Sequence, residues 1–342
     1  MKLSTAIRIQ VQFFETVLPL LFRILFCDHL EQGSKMATTD RDQKVIGALF
    51  RELSPNFAAS AISMEGREEG PISQELAERQ HQSYVALVKQ ILSEQPGSPP
   101  RFHTISGDPE TPDCNFIEDT LVIAPIGTDK ADQIIREKDG EGFCGVVTRL
   151  GHDARRGESA AVEEAVRKVF PKLQLVVQQE GRLDGGDVLT IVERRVILVG
   201  LSSRTNAEGV TCLRRAFSPR YQVHAVEVPA GLHLKSFVTA VDGNFLVVGE
   251  AESFLKVVRD AVASIPALSG IQLLPVPSVA SSNILQLGDK LLVRTSCPES
   301  LRRLCNAFGP ERLVLSPDLS ELEKADGAFT CGCVLLYNLH GE

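Results

Sequence analysis

The chain has 342 residues, 43% hydrophobic and 23% charged, which is soluble globular composition with length for one large domain or two of average size. No Trp, three Tyr and a net charge of -8 exclude a nucleic-acid binder, which needs stacking platforms and a basic footprint, and leave room for a cationic small ligand. Eight cysteines at 27, 114, 144, 212, 297, 305, 331 and 333, without CxxC spacing, exclude a disulfide-stapled scaffold and point to free thiols in a reducing compartment.

The first 35 residues differ from the rest. "FFETVLPLLFRILFC" is interrupted by Glu15, Pro19 and Arg23, so it is too short and too broken to span a membrane. It lacks the apolar region and cleavage site of a signal peptide, and it is not acid-free as mitochondrial presequences are. Residues 1–35 are expected to be an extension outside the fold or the product of an upstream start codon, with residues 36–342 forming the folded domain. A cytoplasmic location follows, or a mitochondrial one if the extension is a removable targeting segment.

Helical periodicity comes next, in "ISQELAERQHQSYVALVKQIL", where Ile72, Leu76, Tyr84, Leu87, Val88 and Ile91 share a face. "SAAVEEAVRKVF" repeats it with Val162, Val166 and Val169, and "ESFLKVVRDAVASI" with Phe254, Val257, Val258, Ala261 and Ile265. "PESLRRLCNAFG" stops on Gly309. Between them "FIEDTLVIA", "RRVILVG", "GNFLVVG", "NILQLGDKLLV" and "CGCVLLY" read as buried strands, so the architecture is α/β. Small or acidic clusters precede apolar strands at Asp113–Ala124, Asp184–Ile191, Asp242–Val248, Ser281–Val293 and Asp326–Tyr337, a weak five-fold repeat. Neither GxGxxG nor GxxxxGK[ST] is present, so no phosphate loop is expected.

Several residues could carry chemistry. Cys331 and Cys333 lie in an apolar run, where most cysteines are packing residues; as a strand pair they would share one face. Cys331, beside the "DGAFT" turn, is the better placed to be a thiolate. No Cys or His cluster stands near them, so a structural zinc site is not expected. His233 in "PAGLHLKSF" is the best candidate base, with His152 a second in a polar loop; His81 and His340 read as bland. Asp113, Glu118 and Asp119 beside one strand, and Asp184 and Asp187 around a glycine turn, are costly near apolar strands unless paired. A guanidinium compensates such carboxylates, although turn chemistry accounts well for Asp184. Arg155, Arg156 and Arg204 lie in loops, where an arginine fork can hold a carboxylate or stay solvated.

"DCNFIEDT", "LDGGDVL", "VGLSSRTN", "GLHLKSF" and "SELEKADGAFTCGCVLL" occur in this order. The combination resembles the dimethylarginine dimethylaminohydrolases of the guanidino-modifying, or pentein, superfamily. The resemblance runs from about residue 38 to 336. It implies a single-domain propeller of five αββαβ units that hydrolyses Nω-methylated arginines to citrulline and methylamine or dimethylamine through a covalent cysteine adduct. It further implies Cys331 as nucleophile, His233 as general acid and base, and Asp184 as its orienting partner. Glu118 and Asp119 would lie at the guanidinium with Asp113 a further polar contact, Arg155 and Arg204 at the carboxylate, with Ile62 and Ala325 lining the substrate. No cofactor and no required metal follow, though Cys331 and His233 form a ligand pair that an inhibitory zinc can use. The partner is a small molecule, with neither nucleic acid nor membrane, and the chain is expected to be a monomer or homodimer. The sequence departs from the family in its extension, in the long charged segment before Arg155, and in Cys-Gly-Cys where relatives carry adjacent cysteines. Deiminases of free arginine, which resemble this chain less, tend to carry Cys-Met-Ser/Thr at the nucleophile. A silent, purely binding member of the fold is the remaining alternative.

Overall fold

One pattern, an antiparallel strand pair followed by a helix and a third strand parallel to the second, accounts for the chain. The computed structural model describes residues 44–62, 70–97, 99–127 and 142–338. The extension expected at 1–35 and the charged segment 128–141 lie outside the described residues.

The strands are β1 (Lys44–Arg51), β2 (Arg101–Ile105), β3 (Leu121–Pro125), β4 (Phe143–Val147), β5 (Gln174–Val177), β6 (Val188–Ile191), β7 (Val196–Leu201), β8 (Gln222–Glu227), β9 (Val238–Val241), β10 (Phe245–Gly249), β11 (Gln272–Val276), β12 (Leu285–Leu287), β13 (Lys290–Val293), β14 (Leu313–Leu315) and β15 (Val334–Asn338). The helices are α1 (Phe57–Ser60), α2 (Gln74–Ser93), α3 (Glu158–Val169), α4 (Ala207–Phe217), α5 (Glu252–Ser264), α6 (Pro298–Phe308) and α7 (Ser320–Glu323).

Five three-stranded sheets result, ordered β15-β1-β2, β3-β4-β5, β6-β7-β8, β9-β10-β11 and β12-β13-β14. In each, the first two strands pair antiparallel and the third lies parallel to the second after a helical crossover. Parallel pairing needs such a crossover, and α2 to α6 supply one per sheet. The last strand, β15, pairs with the first, β1, so the chain closes on itself.

The core is divided to match. Five apolar clusters each fill the wedge between consecutive sheets under one crossover helix. One joins Leu189 and Leu198 to Val238 and Val248 beneath α5; another joins Val241 and Val247 to Leu291 and Val293 beneath α6. Truncating a fully buried residue such as Leu304 to Ala would cost about 2–5 kcal/mol. The helices begin and end where local chemistry dictates. Ser73 caps α2 by accepting the Leu76 N–H, Asn206 caps α4 by accepting the Gly209 N–H, and Gly309 stops α6 at φ 83°.

Three sequence expectations need correction. "NILQLGDKLLV" is not one strand but the β12–β13 hairpin, because Gly288 takes φ 62° and turns the chain. The third unit of the repeat starts at His233 and not at Asp242, which sits in the β9–β10 turn at φ 54°. Cys331 and Cys333 do not share a strand face: Cys331 belongs to a one-turn 3₁₀ helix, Thr330–Gly332, and only after Cys333 does β15 begin.

The first strands of the sheets surround a cavity of about 150 Å³ that takes a residue from each, among them Val122, Leu189, Ala240, Leu285 and Leu335. Among the described residues no helix is long and apolar enough to cross a membrane.

Candidate active site

A single-turn 3₁₀ helix stands immediately before the first strand of every sheet. The five turns are Ile117–Thr120, Gly185–Asp187, Leu234–Ser236, Val279–Ser282 and Thr330–Gly332. Each chain segment therefore makes its tight bend at the same end of the molecule, and the bends meet around the axis. Those turns, with the residue before or after, carry Glu118 and Asp119, Asp184 and Asp187, His233 and Lys235, Asn283, and Thr330 and Cys331.

Hydrogen bonds stitch the turns into a closed ring. The Gly186 N–H donates to Asp119 at 2.8 Å, and the Leu234 N–H donates to Asp187 at 2.9 Å. Asn283 Nδ2 donates to the Lys235 carbonyl at 3.0 Å and to Thr330 Oγ1 at 3.1 Å. The Thr330 hydroxyl then donates to Glu118 Oε2 at 2.8 Å, which returns the ring to its first member. Each of these five contacts uses a side chain from one of the turns or the residue beside it.

Close packing explains "DGGD". A Cβ on Gly185 would lie 2.0 Å from the Glu118 carbonyl oxygen, and one on Gly186 would lie 2.6 Å from His233 Nδ1. No real side chain tolerates either approach. The glycines thus let two neighbouring turns touch the Asp184 turn directly.

His233 sits among acids. Its Nε2 is 3.0 Å from Asp184 Oδ2 and 4.0 Å from Asp119 Oδ1, and His233, Asp119 and Asp184 are all buried. Asp184 Oδ1 accepts the Gly151 N–H at 2.8 Å, so both of its oxygens are fixed. Burial opposes a charge on the imidazole, but Asp119, the Asp184 hydrogen bond and Asp187 outweigh it and raise His233 to about 9. At neutral pH the ring is an imidazolium. Asp119 is held well below the usual carboxylate range, since His233 and Arg155 overcome the penalty of burial.

Cys331 is partly exposed at the mouth, and its thiol is raised far above its ordinary value by burial of the sulfur and by the carboxylates of Glu118 and Asp119. Cys333 is buried and lines the central cavity, and the Tyr84 hydroxyl lies 3.4 Å from its sulfur while donating to the Phe329 carbonyl at 2.5 Å. Tyr84, buried on α2, is thereby a brace behind the Cys331 turn that no sequence motif announced.

The remaining expected residues fall into place unevenly. Asp113 is buried and both its oxygens accept the Ile62 N–H, at 3.2 and 3.1 Å. Ala325 is buried in the bend after α7. Glu118 is paired with Lys235, a cation that sequence reading left without a role. Arg204 is half-buried, and its NH1 is a buried donor without a partner. Arg155 differs from the expectation of an open fork. It is 4% exposed and donates to Glu158 through Nε and NH2, both at 2.9 Å, and to Asp119 through NH1 at 2.7 Å. Its guanidinium is committed to holding two buried carboxylates, because an unpaired acid there would be far costlier than the pair. Arg156 instead bonds Asp153 at the surface, and His152 lies in the same loop, its ring accepting the Ala154 N–H.

For a metal, the described residues assemble Asp119, Asp184 and His233, with one ligand atom each within 4.8 Å of the others. That set contains His233 but not Cys331, so it differs from the thiol–imidazole pair expected for zinc.

The chain was compared with known proteins. A family model described as arginine deiminase matches residues 146–261. The chain is 34% identical over 298 residues to an N(G),N(G)-dimethylarginine dimethylaminohydrolase of Streptomyces coelicolor, covering 86% of this chain and 98% of the relative. It is 24% identical over 192 residues to the Pseudomonas aeruginosa protein of that name, covering 55% and 69% of the two chains. Among solved structures, a cysteine-to-serine mutant of the Pseudomonas aeruginosa protein complexed with citrulline superposes with a TM-score of 0.65 at 19% identity, covering 85% of this chain and 99% of that one. The N-terminal domain of ArgZ, an arginine dihydrolase of cyanobacteria, does so with a TM-score of 0.64 at 15% identity, covering 85% and 97%. These likenesses establish the five-sheeted pentein fold.

Proposed function

The chain belongs to the dimethylarginine dimethylaminohydrolase family, and from that premise we propose that it hydrolyses Nω-methylated arginines to citrulline and methylamine or dimethylamine. The observation that carries this reading is the closed ring of turns, which gathers a cysteine, a carboxylate-bound histidine and an acidic pair at one mouth.

The proposed chemistry starts from a resting site in which both reacting groups are protonated. The thiol is neutral because burial and two carboxylates oppose a third negative charge. A cationic guanidinium bound against Glu118 and Asp119 offsets those charges, and the thiol releases its proton to solvent. The thiolate adds to the guanidinium carbon. His233, already an imidazolium, gives its proton to the departing amine, which breaks the carbon–nitrogen bond and leaves a covalent thiouronium. The now neutral His233 takes a proton from water, the hydroxide adds to the same carbon, and the sulfur leaves as citrulline forms. Asp184 holds the ring and favours its charged form. Arg204, with a donor to spare, is the better of the two arginines for the substrate carboxylate, with Asp113, Ile62 and Ala325 lining the approach. Glu118 and Asp119 fix the carbon in front of the sulfur, and such positioning is a large part of the expected rate gain.

A second reading, action on unmethylated arginine, is favoured by the match of residues 146–261 to the arginine deiminase model. One experiment separates them: citrulline release by purified protein from asymmetric dimethylarginine and from arginine, with Cys331→Ser as control. Turnover of the methylated substrate alone, reduced by at least about 10³-fold in the variant, is the expected result. Turnover of arginine alone assigns the chain to the second reading, and inactivity on both, with thiols reduced, sinks the enzymatic reading.

A further inference from the structure

Asp187, the second aspartate of "DGGD", is fully buried; its amide donates to the Asp184 carbonyl at 3.0 Å while its carboxylate turns to other partners. Its two oxygens point in different directions. Oδ1 accepts the Leu234 N–H at 2.9 Å, the amide next to His233. Oδ2 accepts the Ser202 hydroxyl at 2.6 Å. Ser202 Oγ in turn accepts the N–H groups of Arg204 at 2.9 Å and Thr205 at 3.2 Å. Both lone pairs of that hydroxyl are occupied, so its one proton must go to Asp187. Every partner of the carboxylate is therefore a donor.

The backbone is shaped for this contact. Gly200 on β7 lies against the carboxylate, and a Cβ there would stand 2.7 Å from Asp187 Oδ1 and 2.9 Å from Leu234 Cβ. The Arg204 loop is also fixed from its far side, where Gly151 packs on the Arg204 backbone and a Cβ would come within 2.2 Å of its carbonyl oxygen.

Resting on the functional reading above, we infer that Asp187 is a positioning residue that sets the distance between His233 and Arg204, and thereby selects substrates by the length of the chain joining guanidinium to carboxylate. His233 serves one end of an arginine-length substrate and Arg204 the other, and one rigid carboxylate holds the two supports. Asp184 ties the same two regions through His233 and the Gly151 N–H, and Asp187 adds the link that runs from the amide next to His233 to the Arg204 turn itself.

Asparagine replaces it poorly. Its NH₂ meets the Leu234 N–H in one orientation and, in the other, a Ser202 hydroxyl whose acceptor positions are full, which leaves the Thr205 hydroxyl as the one neighbour able to accept. Asp187→Asn is isosteric, so the fold is disturbed little while the bridge is broken at one end. The test is kcat/KM for methylated arginine and for its homologue with one more methylene, in the wild type, Asp187→Asn and Ser202→Ala. The wild type should prefer the arginine length. Asp187→Asn should lower kcat/KM for that length by about 100-fold and for the longer homologue by less than about tenfold. Ser202→Ala, which breaks only the Arg204 side, should narrow the preference by a smaller factor, mainly through KM, and serves if Asp187→Asn does not fold. Equal losses on both substrates, with the preference unchanged, would overturn the inference and leave Asp187 a purely structural acid. A wild type inactive on both substrates would instead refute the functional reading on which it rests.

Discussion

The mouth of the molecule has two unlike halves. The turns before β3, β6 and β9 carry Asp119, Asp184, Asp187 and His233, all buried and all bonded to one another or to backbone amides. The turns before β12 and β15 carry Asn283, Thr330 and Cys331, and two neutral hydrogen bonds join Asn283 to Thr330. The first half holds a surplus of negative charge, which keeps a proton on His233. The second half has no such surplus of its own, yet it faces Glu118 and Asp119, which keep the proton on Cys331. Two opposite-sounding outcomes, a raised imidazole and a raised thiol, come from the same carboxylates. The site is thus set as an acid at rest, and on the proposed reading a bound cation converts one half to a nucleophile.

The strongest way to break this comparison is to remove the charge that separates the halves. Asp184→Asn keeps the acceptor for Gly151 but turns an NH₂ toward His233 Nε2, favouring the neutral ring. Citrulline release should fall by about 10²-fold or more. In the wild type kcat should fall as pH rises through about 9, where His233 loses its proton, and in the variant that limb should lie at lower pH. The same shift has a stability consequence. The folded value lies above the ordinary 6.5, so the stabilisation from His233 is fully present below pH 6.5 and is lost as pH climbs through about 9. A variant whose basic limb stays in place would show that Asp184 only orients the ring.

A smaller effect sharpens the account of the second half. If carboxylates hold the Cys331 thiol neutral, a small guanidinium ion should speed its alkylation by iodoacetamide near neutral pH, by about tenfold, with Cys331→Ser as the blank. Unchanged or slower alkylation would mean that the cation does not reach the acidic pair. The smallest effect is expected behind the turn. Tyr84→Phe removes one buried hydrogen bond to Phe329 and should cost about 1–3 kcal/mol in denaturant unfolding, with a modest loss of kcat as the Cys331 turn loosens. An undiminished unfolding free energy would remove Tyr84 from the account.

The sequence by itself determined the elements whose signal is local. The apolar stripes of α2, α3, α5 and α6 follow from spacing alone, because a helix buries one face whatever it packs on. The five motifs marked Cys331, His233, Asp184 and the acidic pair through their resemblance to a known family, and the fold carries those residues on neighbouring turns. The tertiary structure decided what depends on partners remote in the chain. Third strands such as β8, "QVHAVE", alternate only weakly, since one edge is open and the burial comes from neighbouring elements. Arg155 reads as an open fork in sequence, yet Asp119, 36 residues away, and Glu158 claim its guanidinium. Asn283 and Tyr84 lie in none of the five motifs, and the motifs that hold Lys235 and Asp187 do not say which partner each side chain bonds. Their roles arise only when the five turns meet at the axis, because a hydrogen bond needs its partner within about 3 Å, and sequence order does not measure that distance.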